Sequence, residues 1–396
     1  MAGPAGNTEA YDRMKNETMF GGKEKGSRRR IVLRVADALS MAVSCLVAAA
    51  LLLSYLAPHV DPGAVLWFAF LGMAAPFLWV ADIVLMLYWV LRWKPVAVVL
   101  AVAALAGAGH VTKFYRPSPG RVYSEQKVSG TLRVLSYNVE GFFGSDSLGE
   151  RGNRMDAITA FIRETDPDIV CLQEFEINRI NPFGRFEDSL PEWKYKALFF
   201  RNDDTSAGGL GLAVYSKYPL MRRGGIRYPE SNNSSMWVDA VVRRDTIRIY
   251  NNHMQSTQVD RSDREYLGGM KVLSDSLGED RTRSILHKLG RNFRVRASQA
   301  DSIAGRIHDG TPKVIVCGDF NDTPMSYTYR RMRGDLEDAF SRKGRGPVYT
   351  YRGLGGVFRI DYLFHSDDFE TVDYRSAQPP WSDHYPVIVD LKLRER

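Results

Sequence analysis

Two rhythms of hydrophobic and polar residues divide this chain. From residue 31 to residue 112 it is nearly all Ala, Val, Leu, Phe and Trp, too continuous for a half-buried strand or a surface helix. Runs of this kind match the ~20 apolar residues needed to cross a hydrocarbon core about 30 Å thick. Val35 to Ala57 forms a first predicted span, with Asp37 near its start. A polar turn follows at Pro58, His59, Asp61, Pro62 and Gly63, and then a second span, Ala64 to Leu91, contains Pro76 and Asp82. Arg92 and Lys94 interrupt it, and Val96 to Val111 is a shorter third candidate. Residues 31–112 are therefore predicted as a transmembrane region of three helices. Asp82 reads as an ion-path group or as an acid within a simple anchor, and without a visible counter-charge the anchor is preferred.

Pro117, Pro119 and Gly120 lie in a linker, 113–130, and beyond it the rhythm changes. Thr131 to Tyr137 alternates and is β-branched, as a strand does. Asn153 to Glu164 has helical spacing, Pro167 marks a turn, and Asp168 to Gln173 is a second buried strand that ends at Glu174. Further strand-like runs occupy Tyr195 to Phe200, Gly211 to Ser216, Trp237 to Arg243, Ile247 to Asn252, Lys313 to Cys317, Arg359 to Phe364 and Pro386 to Leu391. Between Ser256 and Pro312 the chain is charged and helical, and Phe293 to Ile307 has an amphipathic pattern. So many strands with so few intervening helices predict a mixed-sheet α/β sandwich over residues 131–396.

Composition changes this picture little: 44% hydrophobic and 25% charged residues are ordinary values whose average conceals the uneven distribution. The formal charge of +7 matters more for topology than for nucleic-acid binding. Part of it sits in a basic leader, 1–30, with Arg13, Lys15, Lys23, Lys25 and Arg28 to Arg30. The first inter-span loop has no Lys or Arg, and the second has Arg92 and Lys94, so the positive-inside rule puts leader and second loop in the cytoplasm. Three crossings then place the following domain on the non-cytoplasmic side of a multi-pass integral membrane protein. Lys113, Arg116 and Arg121 pull the other way, since a re-entrant third span would leave that domain in the cytoplasm. No cleavable signal peptide is expected, because a long polar leader precedes a run too long for a signal core. Arg281, Arg283, Lys288, Arg291, Arg294 and Arg296 contact phosphates or form a solvated helix face. Cys45, Cys171 and Cys317 fall in apolar runs and imply neither disulfides nor a metal site.

The candidate chemistry is Asn138, Glu174, His253, Asp319, Asn321, Asp361, Asp383 and His384, each in or at the end of a strand-like run. Loops at such ends gather into sites. Taken singly, Asn138 suits a turn, Asp319 and Asn321 an Asx-turn, and Asp383 and His384 a cap before the last strand. Asp361 is harder to explain that way, because a carboxylate within a strand needs a partner. Together they form a carboxylate-rich oxygen donor set that suits a hard cation, Mg²⁺ or Mn²⁺, with imidazoles and amides left to grip an oxyanion. Phosphate ester hydrolysis uses this inventory. No P-loop, GxSxG elbow or HExxH helix points to another mechanism.

The ordered motifs SYNVEGF, CLQEF, NNHMQS, CGDFND, RIDYLF and SDHYP, from Leu132 to Leu391, resemble the endonuclease/exonuclease/phosphatase (DNase I-like) superfamily. The resemblance implies a four-layer α/β sandwich, two mixed sheets flanked by helices, and a metal-dependent phosphoesterase. It implies Glu174 as main metal ligand, with Asn138 and Asp383 close to the metal, and Asp319 as the group that orients or deprotonates water. Asn321 would hold that water or a phosphoryl oxygen, while His384, held by Asp361, and His253 would stabilise the transition state. The sequence offers no carboxylate that clearly partners His253, and no Tyr assignable to the phosphate. The expected partners are the lipid bilayer and a phosphodiester or phosphomonoester substrate, either a lipid headgroup or a nucleic acid. The competing reading is a membrane-tethered phosphate- or lipid-binding pseudoenzyme of the same fold.

Overall fold

Strand polarity and the two faces of each strand explain where this chain builds its site. The computed structural model describes residues 34–117, 126–144, 150–202, 208–257, 263, 266, 276–308, 313–353 and 355–394. The leader, 1–30, and residues 118–125 of the linker lie outside the described residues. Two units emerge from the packing: Met1–Leu52 with Phe77–Ala106, and Leu53–Pro76 with Gly107–Arg396.

Helices α1 (Arg34–His59) and α2 (Trp67–Leu91) are long and apolar enough to cross a membrane. Helix α3 (Val96–Ala106) is shorter than the predicted third span, since the helix breaks at Gly107 and resumes only over Ala108–Val111. At 1.5 Å per residue α3 alone rises about 16 Å, roughly half a hydrocarbon core. In the first unit, Arg92 pairs with Asp37 at 2.8 Å, and the indole of Trp89 donates to Ser44 at 2.8 Å. Asp82 is fully buried, and neither of its oxygens has a hydrogen bond among the described residues.

The second unit holds two six-stranded sheets. One contains β1 (Leu132–Asn138), β2 (Ile169–Ile177), β3 (Tyr195–Phe200) and β4 (Gly209–Ser216). The other contains β5 (Leu220–Arg227), β6 (Ser234–Val242), β7 (Asp245–His253), β8 (Val314–Asp319), β9 (Glu337–Asp338) and β10 (Asp361–His365). Finally β11 (Phe369–Ser376) and β12 (Val387–Leu393) complete the first sheet, whose order is β11-β12-β1-β2-β4-β3, against β9-β10-β8-β7-β6-β5. Each sheet has one parallel pair, β1 with β2 and β7 with β8, and is otherwise antiparallel. A parallel pair needs a crossover; α4 (Met155–Thr165) lies in one and α5 (Ser276–His308) in the other.

Alternate residues of the central strands serve opposite layers. Val134 and Cys171 meet Ile249 and Cys317 between the sheets, both cysteines being buried free thiols. On the outer faces, Leu135 and Val170 pack under Ile158 and Ile162 of α4, and Val314 and Val316 under Ala300, Ile303 and Ile307 of α5. These are the four layers that the motifs imply. Polar pairs pin the interior: Arg133 meets Asp390 at 2.7 Å, and the Gln173 amide donates across the sheets to Asn251 at 2.6 Å.

Candidate active site

Each parallel pair ends its strands in the same direction, which brings Asn138 (end of β1), His253 (end of β7) and Asp319 (end of β8) to one edge of the sandwich. Register does the rest. Asp319 stands opposite Asp361 on β10 and beside His253 on β7, a row of three across adjacent strands. Gly318, at φ 128°, makes this approach feasible, because a Cβ there would lie 2.0 Å from the Asn252 carbonyl.

Glu174 departs from the sequence reading. Strand β2 does not end there but runs on to Ile177, and Glu174 sits in the interior at φ 50°, where the register with β4 shifts between Leu172 and Phe175. A bulge of this kind re-aims one side chain out of the alternation. The Glu174 carboxylate accepts from the Asn138 amide at 3.1 Å, and the same amide donates to Asp319 at 3.1 Å.

Asp319 is the buried hub. Its Oδ1 accepts from the Asn321 backbone at 2.8 Å, and its Oδ2 from the Asn321 side chain at 2.9 Å. Asn321 has φ 52°, the compact turn that lets both its donors reach one carboxylate, and its amide also donates to the Met254 carbonyl at 3.1 Å. Burial pushes the Asp319 carboxyl up to about 6; Asp361 adds to this, and the imidazoles of His384 and His253 oppose it.

Both imidazoles face the hub without touching it. The Nε2 of His384 lies 3.6 Å from Asp319 Oδ2, and the Nε2 of His253 lies 3.6 Å from Asp319 Oδ2 and from Glu174 Oε1. These separations exceed a hydrogen bond, and an oxygen to one side of each pair can reach both partners. His253 Nε2 is buried with no hydrogen bond among the described residues. The Nδ1 of His384 meets Asp361 at 3.0 Å, so Nε2 is the nitrogen presented to the site, and it carries a proton when the ring is the imidazolium. Burial alone would lower the His384 pKa, but Asp361, Asp319 and Asp383 together hold it well above the ordinary imidazole value.

The oxygen donors fit a hard cation. Asp319, Asp361 and His384 form the tighter cluster, with ligand atoms within 4.8 Å of one another. Asp361 and His384 spend their facing atoms on each other, however, so this cluster is a relay rather than a cage. Glu174, one third exposed at 34%, and Asp383, at 33%, are the more exposed carboxylates, and Asn138 adjoins Glu174. The carboxylates of Glu174, Asp319, Asp361 and Asp383 outnumber the imidazoles of His253 and His384, and a divalent ion offsets that excess.

All eight residues singled out in the sequence thus gather at this edge. Others join them that the motifs did not isolate. Glu140 accepts from the Asp383 backbone at 2.9 Å, and burial beside Asp383 raises its carboxyl pKa. Ser382 donates to the Asn138 carbonyl at 2.7 Å. The ring of Tyr351 lies 5.1 Å from that of His384. Arg296 is fully buried, pairs with Asp322 at 3.3 Å and lines the same cavity, so a solvated helix face does not describe it. Glu140 and Ser382 lie inside the motifs SYNVEGF and SDHYP, whereas Tyr351 has no motif of its own.

The sequence matches the profile of the Endonuclease/Exonuclease/phosphatase family over residues 135–384, more than half of the chain. A second profile, a domain of unknown function (DUF8431), matches residues 37–114. No match was found among curated proteins. Similar solved structures include an endonuclease/exonuclease/phosphatase from Beutenbergia cavernae DSM 12333, with 17% identity and TM-score 0.48, covering 68% of this chain and 72% of that one. An endonuclease/exonuclease/phosphatase from Bacteroides vulgatus has 21% identity and TM-score 0.46, covering 67% and 99%. The human Nocturnin catalytic domain with bound sulfate has 16% identity and TM-score 0.45, covering 68% and 97%.

Proposed function

Starting from a chain that belongs to the endonuclease/exonuclease/phosphatase family, hydrolases of phosphoric ester bonds, we propose a membrane-tethered, metal-dependent phosphoesterase that uses one in-line attack of water. The observation that carries this reading is the convergence on Asp319 of Asn138, Asn321, His253 and His384. Asp319 takes a proton from water while Asn321 fixes the carboxylate's orientation. The water oxygen bonds to phosphorus as the ester P–O bond breaks, and the leaving oxygen takes a proton from solvent. His384, kept protonated by Asp361, and His253 donate to the phosphoryl oxygens as charge builds on them. Glu174, Asp383 and Asn138 would hold Mg²⁺ or Mn²⁺, which supplies Lewis-acid stabilisation of the phosphoryl charge.

The domain organisation belongs to the same reading: leader 1–30, membrane region 31–112, linker 113–130 and catalytic domain 131–396. A non-cytoplasmic catalytic domain is supported by the residues of the second unit. The turn between α1 and α2 packs on this domain through Leu66, which lies against Ile285, Leu289 and Phe293, and the first part of α2 follows it at Gly72, where a Cβ would lie 2.3 Å from the Met325 carbonyl. The chain after α3 packs there too, through the Arg359 guanidinium donating to the Lys113 carbonyl at 2.9 Å. The turn without Lys or Arg and the catalytic domain therefore share a side, and the positive-inside rule assigns that side to the exterior.

Detergent-solubilised full-length protein is expected to hydrolyse bis(p-nitrophenyl) phosphate with Mg²⁺ and to stop when the ion is chelated. Asp319→Asn keeps the side chain's shape and should lower turnover by about 10²–10⁴-fold with the melting temperature maintained. Turnover retained by that variant would remove Asp319 as the base.

A further inference from the structure

The catalytic groups form one end of a cavity of about 420 Å³, a volume within the ~300–1,000 Å³ typical of small-molecule sites. Glu174, Asp319, Asp383 and His384 line this polar end. Its far wall is hydrocarbon: Ile285, Leu286, Leu289 and Phe293 of α5, with Met73 of α2. All of these residues belong to the second unit. The wall is a built feature, because Ile285, Leu289 and Phe293 bury against Leu66, Phe70 and Met73, with Phe70 edge-on to Phe293 at 5.3 Å. Leu286, by contrast, lines the cavity while 46% exposed, so an apolar side chain remains open to an incoming ligand.

Between the two ends sits Arg296, fully buried. Its Nε meets Asp322 at 3.3 Å and its Nη1 donates to the Gln255 carbonyl at 2.8 Å. Its Nη2 makes no hydrogen bond among the described residues. A buried guanidinium N–H without an acceptor is costly, and a phosphoryl or ester oxygen in the cavity would satisfy it.

We propose, building on the phosphoesterase reading, that the substrate is a membrane phospholipid, with its phosphoester at Asp319 and His384 and a hydrocarbon chain along Leu286 and Leu289. Arg296 Nη2 donates to a phosphate or adjoining ester oxygen. A nucleic acid fits the wall poorly: it would bring further phosphates against hydrocarbon. Two of the cations on this helix are already engaged, since Lys288 pairs with Asp263 at 2.9 Å and Arg281 faces the same carboxylate at 3.6 Å. Moreover, Met73 lies on α2, a helix with the length and apolarity to cross a bilayer, which is the source of such a substrate.

The test compares soluble phosphatidylglycerols of increasing acyl length, dibutyroyl to dihexanoyl, with bis(p-nitrophenyl) phosphate and a single-stranded oligonucleotide, using the full-length protein in detergent with Mg²⁺. The expected result is a kcat/KM that climbs with chain length, by up to about fourfold for each methylene that enters the groove. Leu286→Glu should cut the dihexanoyl-to-dibutyroyl ratio by about tenfold or more, and Leu286→Met should restore it. A flat chain-length series in the wild type, or an oligonucleotide turned over in preference to every lipid, overturns the inference. In either case metal-dependent hydrolysis of bis(p-nitrophenyl) phosphate leaves the phosphoesterase reading standing. No turnover of any substrate overturns both.

Discussion

Glu174 and Asp319 both face the same cavity, yet their environments assign them different tests. Asp319 is buried and saturated with amide donors, whereas Glu174 is partly exposed and has one amide neighbour, Asn138. Glu174→Gln removes a charge from the oxygen donor set without removing the proposed base. The Mg²⁺ concentration for half-maximal turnover should rise by about 10–100-fold, with much of the rate recovered at saturating ion. Asp361→Asn acts through His384 instead, leaving its Nδ1 without the anionic partner that fixes the ring's tautomer. Turnover should fall by about 10²-fold or more with the Mg²⁺ requirement little changed, and a shared shift in both would merge the two roles. The imidazoles and the carboxylates other than Glu174 are legible in the sequence because each sits at or beside a strand terminus, whereas Glu174 is interior to β2. His253 shows the limit: the carboxylates that flank it, Glu174 and Asp319, come from other strands and from nearly 80 and 66 residues away in the chain.

Strands in the middle of each sheet were readable, and of the edge strands β3 was readable too, whereas β5, β9 and β11 were not. The residues of β1 and β8 and the first half of β2 are buried on both faces and form largely apolar runs, while β7 alternates at Ile247 and Ile249, so their sequence announces them. Strands β5 and β11 lie at sheet edges, where charged residues protect against pairing with other chains, and their patterns LMRRGGIR and FETVDYRS resemble loops. Helix α5 is longer than its amphipathic part, beginning at Ser276 rather than Phe293. Among the ties between elements, the pair of Arg359 and Asp338 is the most exacting. The guanidinium grips both carboxylate oxygens, at 3.2 and 2.8 Å, and both side chains are buried at 1% exposure. Arg359→Met strands a buried carboxylate and is expected to cost about 3–5 kcal/mol, read as a lowered melting temperature. Burial works to raise the Asp338 pKa, but Arg359 holds it below the ordinary carboxylate value. The stabilisation is therefore complete above the unfolded carboxyl pKa of about 4 and is lost as the pH falls below it. The melting temperature of the wild type should drop more steeply in acid than that of Asp338→Asn; parallel curves would exclude this linkage.

Across the whole molecule the testable question is sidedness. The turn between α1 and α2 and the catalytic domain are parts of one packed unit. An impermeant maleimide applied to intact cells should label Ala64→Cys, an exposed position in that turn, and a cysteine placed at Gly22 in the leader should react only after permeabilisation. Labelling of the leader from outside would invert the proposed topology and put the catalytic domain in the cytoplasm.

The family, the order of its motifs and the apolar segments follow from local sequence, because strand alternation, helix-length apolar runs and short turn motifs are set by residues close together in the chain. The fold class follows too, since the succession of strands and crossovers limits the layers available. Folding alone brings Glu174 out of the β2 alternation through a bulge, lines up Asp361, Asp319 and His253 across three strands, and buries Arg296 beside an apolar wall. Those arrangements depend on register and on packing between distant elements, and neither leaves a local trace in the residues themselves.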